Sequence, residues 1–119
     1  MPTIHWYHKP FKSLTPEELY AILRLRSEVF VVEQQCLFLD ADNKDRYCSH
    51  VMGWKNEQLV AYTRLVPAGL SYVEPSIGRV VTAATVRGSG TGRELMQQSI
   101  LILYELAGKQ PIRIGAPVS

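Results

Sequence analysis

Arg87-Gly88-Ser89-Gly90-Thr91-Gly92-Arg93 is the segment whose residue types and spacing point to chemistry. Glycine lets a chain turn tightly and lets a ligand approach the backbone with no Cβ in the way. A helix that starts here presents free N–H groups and the positive end of its dipole. The segment therefore predicts an anion cradle, for a phosphate or pyrophosphate, on the amides of Gly88 to Arg93. Arg87 and Arg93 add positive charge beside it. Two common phosphate motifs do not fit. A P-loop needs Lys and then Ser or Thr after its last glycine, and Arg93-Glu94 stands there. The dinucleotide fingerprint needs G-x-G-x-x-G and an acidic residue about 20 positions later; the run here is G-x-G-x-G, and Ile112-Arg113 occupy that place. A strand-to-helix turn that binds nothing is the plain alternative.

The elements that must position this turn are readable around it. Ile4-His5-Trp6-Tyr7-His8 is a β-prone run that ends before Pro10. Thr15-Pro16-Glu17-Glu18 starts a helix, with Thr15 as cap, Pro16 in the first turn and Glu18 completing a capping box. Leu19, Ile22, Leu23 and Phe30 follow at helical spacing, with Arg24 and Glu28 off that stripe, and the helix ends or bends near Val31-Val32. Leu39 to Arg46 reads as a polar, solvated loop. Ser49–Trp54 and Gln58–Val66 read as strands joined at Lys55-Asn56-Glu57 into an antiparallel hairpin. Ser76–Thr82 is a third strand, after punctuation by Pro67-Ala68-Gly69 and Glu74-Pro75. From Gly92 a helix runs to about Ala107, with Leu95, Met96, Ser99, Leu103 and Leu106 inward and Gly108 closing it. Pro111-Ile112-Arg113-Ile114 is the last strand, so the third strand, second helix and last strand form a βαβ unit, expected to be right-handed and parallel.

The 119 residues, 46% hydrophobic and 20% charged, suit one domain spanning 1–119 and exclude a wholly disordered chain. A net charge of +2, from 13 basic and 11 acidic residues, gives no clustered basic face for nucleic acid. No apolar run reaches the roughly 18–20 residues that span a bilayer. Met1-Pro2-Thr3-Ile4-His5 has no secretory pattern, so the expectation is a cytoplasmic protein without a membrane partner. Cys36 and Cys48 are expected to be reduced thiols, and with His5, His8 and His50 scattered, no metal site is expected. Asp40-Ala41-Asp42-Asn43 resembles a calcium loop but lacks its central glycine and its bidentate glutamate.

The remaining pattern, R-x-x-G-x-G at Arg87, Gly90 and Gly92 after Ile77-Gly78-Arg79-Val80-Val81-Thr82, resembles the coenzyme A motif of the GCN5-related N-acetyltransferases (GNAT). The likeness continues in Leu19-Tyr20-Ala21-Ile22-Leu23 and Leu25 to Gln34, which are similar to the first helix of the ElaA-type subfamily. Asp40 to Asp45, His50 to Trp54, Leu59 to Leu65 and Ile77 to Val81 follow in order. It covers nearly the whole chain. The resemblance implies an α/β (α+β) fold: a mixed, mostly antiparallel central sheet flanked by helices. It also implies acetyl-CoA as co-substrate and direct attack by a primary amine, small-molecule or peptide, in a ternary complex.

Carried over residue by residue, the amides of Gly88, Ser89, Gly90, Thr91, Gly92 and Arg93 hold the coenzyme pyrophosphate, beside Arg87. The backbone of Val80, Val81 and Thr82 pairs with the pantetheine arm. A bulge in that strand splays it from the next and opens the thioester slot, where a backbone N–H polarises the carbonyl. The family's usual proline after the strand is replaced here by Ala83-Ala84-Thr85. The candidates for general base are Glu33, His50 and Glu74. Arg26 and Arg79 are candidates for buried ion pairs, and Tyr62, Tyr72 and Trp54 for core or groove wall.

The family normally continues with a further helix and two strands, and that helix carries a tyrosine that protonates the coenzyme A thiolate. Here Ala116-Pro117-Val118-Ser119 stand where the ElaA-type pattern reads Ala-Gln-Ala-His-Leu-Gln. The expectation is a chain short of that segment, with one acceptor wall missing and the last strand an open edge. A truncated record, a degenerate C-terminus or a second copy covering that edge would each account for it. The leading reading is an acetyl-CoA-dependent N-acetyltransferase. The others are a non-catalytic acyl-CoA-binding or dimerising module on the same scaffold, and a nucleotide-binding domain using the same turn.

Overall fold

In the computed structural model, which describes residues 3–115, the capping box forms as the sequence dictates. Thr15 Oγ1 accepts from Glu18 N at 3.1 Å and Glu18 Oε1 accepts from Thr15 N at 2.8 Å. This starts α1 (Pro16–Arg26). The ladder then widens into a π-helix over Ser27–Glu33, where Gln34 N reaches back five residues to Val29 O. The bend thus begins at Ser27, ahead of the Val31-Val32 pair, and the wider turn carries Glu33 toward the glycine turn.

Five strands form one sheet in the order β1-β2-β3-β4-β5: β1 (His5–Pro10), β2 (Ser49–Lys55), β3 (Gln58–Val66), β4 (Ser76–Thr82) and β5 (Arg113–Ile114). All neighbours are antiparallel except β4 and β5, which are parallel and linked through α2 (Thr91–Ala107). β1 runs two residues further than its sequence suggests. Pro10 ends it opposite Ser49 on an edge strand, where a missing N–H costs no ladder bond. Asn56 and Glu57, both at positive φ, make the two-residue turn of the β2–β3 hairpin.

The sheet carries one helix on each face. Ile22, Leu25, Val29 and Phe30 pack on Met52, Tyr62 and Val81. Leu95, Ile102 and Leu103 of α2 pack on Val51, Ala61, Leu65 and Ile77. Alternation along β2 and β3 sends successive side chains to opposite cores. On α2, Ile102 takes the inward place expected of Leu106, which is 54% exposed because the helix leaves the sheet in its last turn. Among the described residues no helix is long and apolar enough to cross a membrane. Met1-Pro2 of the leader reading and Ala116–Ser119 lie outside the described residues.

Candidate functional site

The glycine turn forms between β4 and α2. Gly88 and Gly90 both take positive φ (82° and 85°), which L side chains rarely adopt. Gly90 caps α2, and the first intrahelical bond comes from Glu94 N to Gly90 O at 3.1 Å. The N–H groups of Gly88 through Arg93 find no acceptor among the described residues. Ser89 Oγ donates to Val86 O and pairs with Thr91 Oγ1 at 2.8 Å, so these two side chains brace the turn from inside. Gly92 has ordinary helical geometry, and a Cβ there would meet nothing within 4 Å. Neither conformation nor internal packing requires that glycine, so close approach from outside the chain is what its lack of a side chain permits.

β4 leads into this turn with an open side. Among the described residues β5 pairs with it at Ser76 and Ile77, and Gly115 N donates to Ile77 O at 2.9 Å. On the other side the register passes from Arg64↔Gly78 to Tyr62↔Val81, so Thr63 alone faces both Arg79 and Val80. This is a β-bulge, and Arg79 sits in it at φ 50°. Ala83 N donates to Val60 O at 2.8 Å, so by alternation the backbone groups of Thr82 and Val80 point away from β3, to the side on which β5 pairs, and meet no strand among the described residues. Val81 lies between them, with its backbone facing β3 opposite Tyr62. Thr82 O accepts from Arg87 Nη2 at 2.9 Å. The Arg87 guanidinium is thus turned onto Thr82 and Glu33 rather than over the turn. Arg93 makes no ion pair among the described residues and supplies the free charge there.

A closed ring of six charges holds the bulge. Asp40 accepts from Arg26 (2.9 Å) and Arg79 (3.0 Å). Asp42 accepts from Arg79 (3.2 Å) and Arg64 (2.8 Å). Asp45 accepts from Arg64 (3.0 Å) and Arg26 (2.8 Å), which closes the cycle. The loop from Leu39 to Arg46 is therefore not merely solvated. Its three carboxylates tie α1, β3 and the β4 bulge together. Burial alone would raise the Asp42 carboxyl, but hydrogen bonds from Arg64 and the Lys44 backbone hold it well below the usual range. Burial would lower the Arg64 guanidinium, and its bonds to Asp42 and Asp45 raise it instead. Arg26 and Arg79 are the paired arginines expected; Arg64 and the three aspartates were not foreseen. The available signal was placement. Arg26 shares the buried stripe of Ile22, Leu25 and Val29, and Arg64 lies in a strand buried on both faces, so each requires a carboxylate.

The three base candidates are not brought together. His50 is fully buried, with Nδ1 2.6 Å from Tyr62 Oη and Nε2 2.9 Å from Asp45 O, and burial pushes its pKa down. Glu74 lies 3.5 Å from Arg113, at the end of β4 remote from the glycine turn. Glu33 joins Arg87 beside Thr82 at the open side of β4. Trp54 is half-buried against the α1 core and Tyr72 is 42% exposed.

A cavity of about 470 Å³ opens on the bulge from the α1 face. Gly78, Arg79 and Val80 form its floor, and Phe38, Tyr72 and Lys44 stand in its walls. A ligand there would meet the open side of β4 from the opposite direction to the turn.

The acetyltransferase (GNAT) family model matches residues 4–113. Escherichia coli ElaA is 36% identical over 115 residues, covering 95% of this chain and 75% of ElaA. A UPF0039 protein of Synechocystis is 46% identical over 98 residues; these are 82% of this chain and 64% of that relative's length, so the chain spans less than two thirds of it. Among solved structures, an acyl-CoA N-acyltransferase from Pseudomonas aeruginosa superposes with a TM-score of 0.89 at 38% identity, covering 94% of this chain and 78% of that one. The ElaA crystal structure gives 0.89 at 36%, covering 95% and 78%. A bulged β4, a parallel β5 paired with it at Ser76 and Ile77 and a glycine turn opening α2 are thus set in the acyl-CoA N-acyltransferase fold, and the chain belongs to the acetyltransferase (GNAT) family.

Proposed function

We propose that this chain acts in acetyl-CoA-dependent transfer of an acetyl group to a primary amine, by direct attack in a ternary complex. The observation that supports it most is continuity: the side of β4 at Val80 and Thr82 that no described strand pairs with runs straight into six N–H groups without acceptors among the described residues. Acetyl-CoA supplies the acetyl group as a thioester. The amides of Gly88 to Arg93 hold its pyrophosphate, with Arg93 as counter-charge. The edge groups of Val80 and Thr82 pair with the pantetheine arm like an added strand. A backbone N–H at the bulge polarises the thioester carbonyl. Of the three base candidates, only Glu33 combines an exposed carboxylate with a place at the open side of β4, so it takes the amine proton in this reading. A second copy of the chain pairing along β5 is the partner the reading carries; gel filtration across a concentration series tests it, and a monomer at all concentrations rejects it.

Gly92→Leu tests the coenzyme site. The position is exposed, has ordinary φ and open space around it, so the melting temperature is expected to hold. Calorimetric affinity for acetyl-CoA is expected to fall about 100-fold or more, and unchanged affinity rejects the turn as the site. ADP and NAD serve as rival ligands for the nucleotide reading. Binding of acetyl-CoA with no thiol release across a panel of amines favours the non-catalytic module.

A further inference from the structure

The cavity behind the bulge is built for an acceptor of particular charge. Three of its four charged side chains, Asp42, Arg64 and Arg79, are closed into the neutral ring. Lys44 is the fourth. Its ammonium meets only a hydroxyl, Ser71 Oγ at 3.0 Å, and forms no ion pair among the described residues. Arg64, in the same wall, keeps a buried Nε–H with no acceptor. Donors and positive charge are therefore in excess.

The walls offer nothing to a second cation. Asp42 already accepts from two arginines. The two aromatic walls already carry guanidinium groups: Arg79 lies 4.9 Å from the Phe38 ring centre and Arg113 4.5 Å from that of Tyr72. Both rings remain over 40% exposed and present apolar surface to whatever enters. A diamine or polyamine would place its distal charge beside the Lys44 ammonium, whereas a carboxylate there meets an ammonium that has no carboxylate partner among the described residues.

We infer that the cavity takes a small primary amine with an apolar or aromatic body and a carboxylate, and that Lys44 binds the carboxylate and determines this specificity. This rests on the acetyl-transfer reading above. L-Phenylalanine, phenethylamine and cadaverine separate the terms, since the first two share a body and differ in the carboxylate. L-Phenylalanine is expected to exceed phenethylamine about ten-fold in kcat/KM, as one charge-assisted hydrogen bond would give, with cadaverine lowest. Lys44→Met is expected to bring the ratio of the first two to about one, and Lys44→Arg to keep most of it.

Calorimetry of the same amines on the protein loaded with coenzyme A reads that ratio without turnover. A ten-fold ratio in binding with no acetyl transfer would overturn the transfer reading and support the carboxylate-bearing amine as the cavity's ligand. Acetyl transfer with a ratio near one in the native protein, a ratio that survives Lys44→Met, or a preference for cadaverine would each overturn the acceptor class.

Discussion

At the bulge of β4 every guanidinium of the ring faces two carboxylates, while a few residues further on six N–H groups face no acceptor among the described residues. Both regions also bend the backbone into positive φ, and they do so by different means. In the turn, Gly88 and Gly90 take it freely because they have no Cβ. At the bulge Arg79 takes it against its own preference, and its side chain is held by Asp40, Asp42 and the Phe38 ring. Charges that pair with one another fix a shape. Polar groups left open are available to a ligand. The first region sets the gap beside β4, and the second gives that gap an anchor at its end.

The ring is the place to break this contrast hardest. Arg26→Met removes the one ring guanidinium whose side chain is fully buried and leaves Asp40 and Asp45 with one partner each. One-sided removal of a buried pair costs about 3–5 kcal/mol. Urea unfolding is expected to show a loss in that range with the m-value unchanged. A loss under ~1 kcal/mol would mean the ring is not what fixes the loop.

Arg79 sharpens the comparison by separating the side chain from the backbone. Arg79→Met keeps the unfavourable φ and loses the ring, while Arg79→Gly loses the ring and removes the conformational penalty, about 1–2 kcal/mol for a residue in the left-handed region. With its side chain 20% exposed, Arg79 is expected to cost less than Arg26, about 2–3 kcal/mol as Met and roughly 1 kcal/mol less as Gly. Equal losses for the two variants would show that the bulge relaxes once the ring opens. The acetyl-CoA affinity of Arg79→Gly then reads whether a correctly bent but unclamped strand still holds the coenzyme arm.

The two regions were also unequally legible. Arg87 to Arg93 is contiguous, and Gly88 and Gly90 answer a local backbone demand, so chain order alone placed the turn. The same holds for the Thr15–Glu18 cap and for the β2–β3 and β4 limits, which depend on neighbours within a few residues. The ring joins positions 26, 40, 42, 45, 64 and 79 across three elements, and pairing at that separation leaves no periodic trace. Arg26 and Arg79 could be seen to need carboxylates, but which ones depends on how α1 lies on the sheet. His50 is a general-base candidate by residue type; only packing reveals that Tyr62 and the Asp45 carbonyl occupy both nitrogens. The cavity is less legible still, since Phe38, Lys44 and Tyr72 come from two loops.

His50 gives the smallest and most separable test, because it touches the ring without belonging to it. Burial lowers its pKa beneath the ordinary 6.5, so the unfolded chain takes up the proton first as pH falls. Stability from this group is complete above about pH 6.5 and declines below it, by up to ~1.4 kcal/mol per pH unit, until the folded protein protonates as well. Asp42 and Asp45 are also lowered, from an ordinary 3.8, and Glu18 from 4.5, so their contributions are lost only at lower pH. The His50 window therefore opens at the ordinary 6.5, above the 4.5 and 3.8 at which those of the carboxylates open. Urea midpoints measured between pH 6.5 and 5 are expected to fall for the native chain and to stay nearly flat for His50→Gln, whose amide keeps a donor and an acceptor for Asp45 O and Tyr62. An equal slope in both proteins would place the titration elsewhere and leave the imidazole without a role in setting the acid limit of the ring.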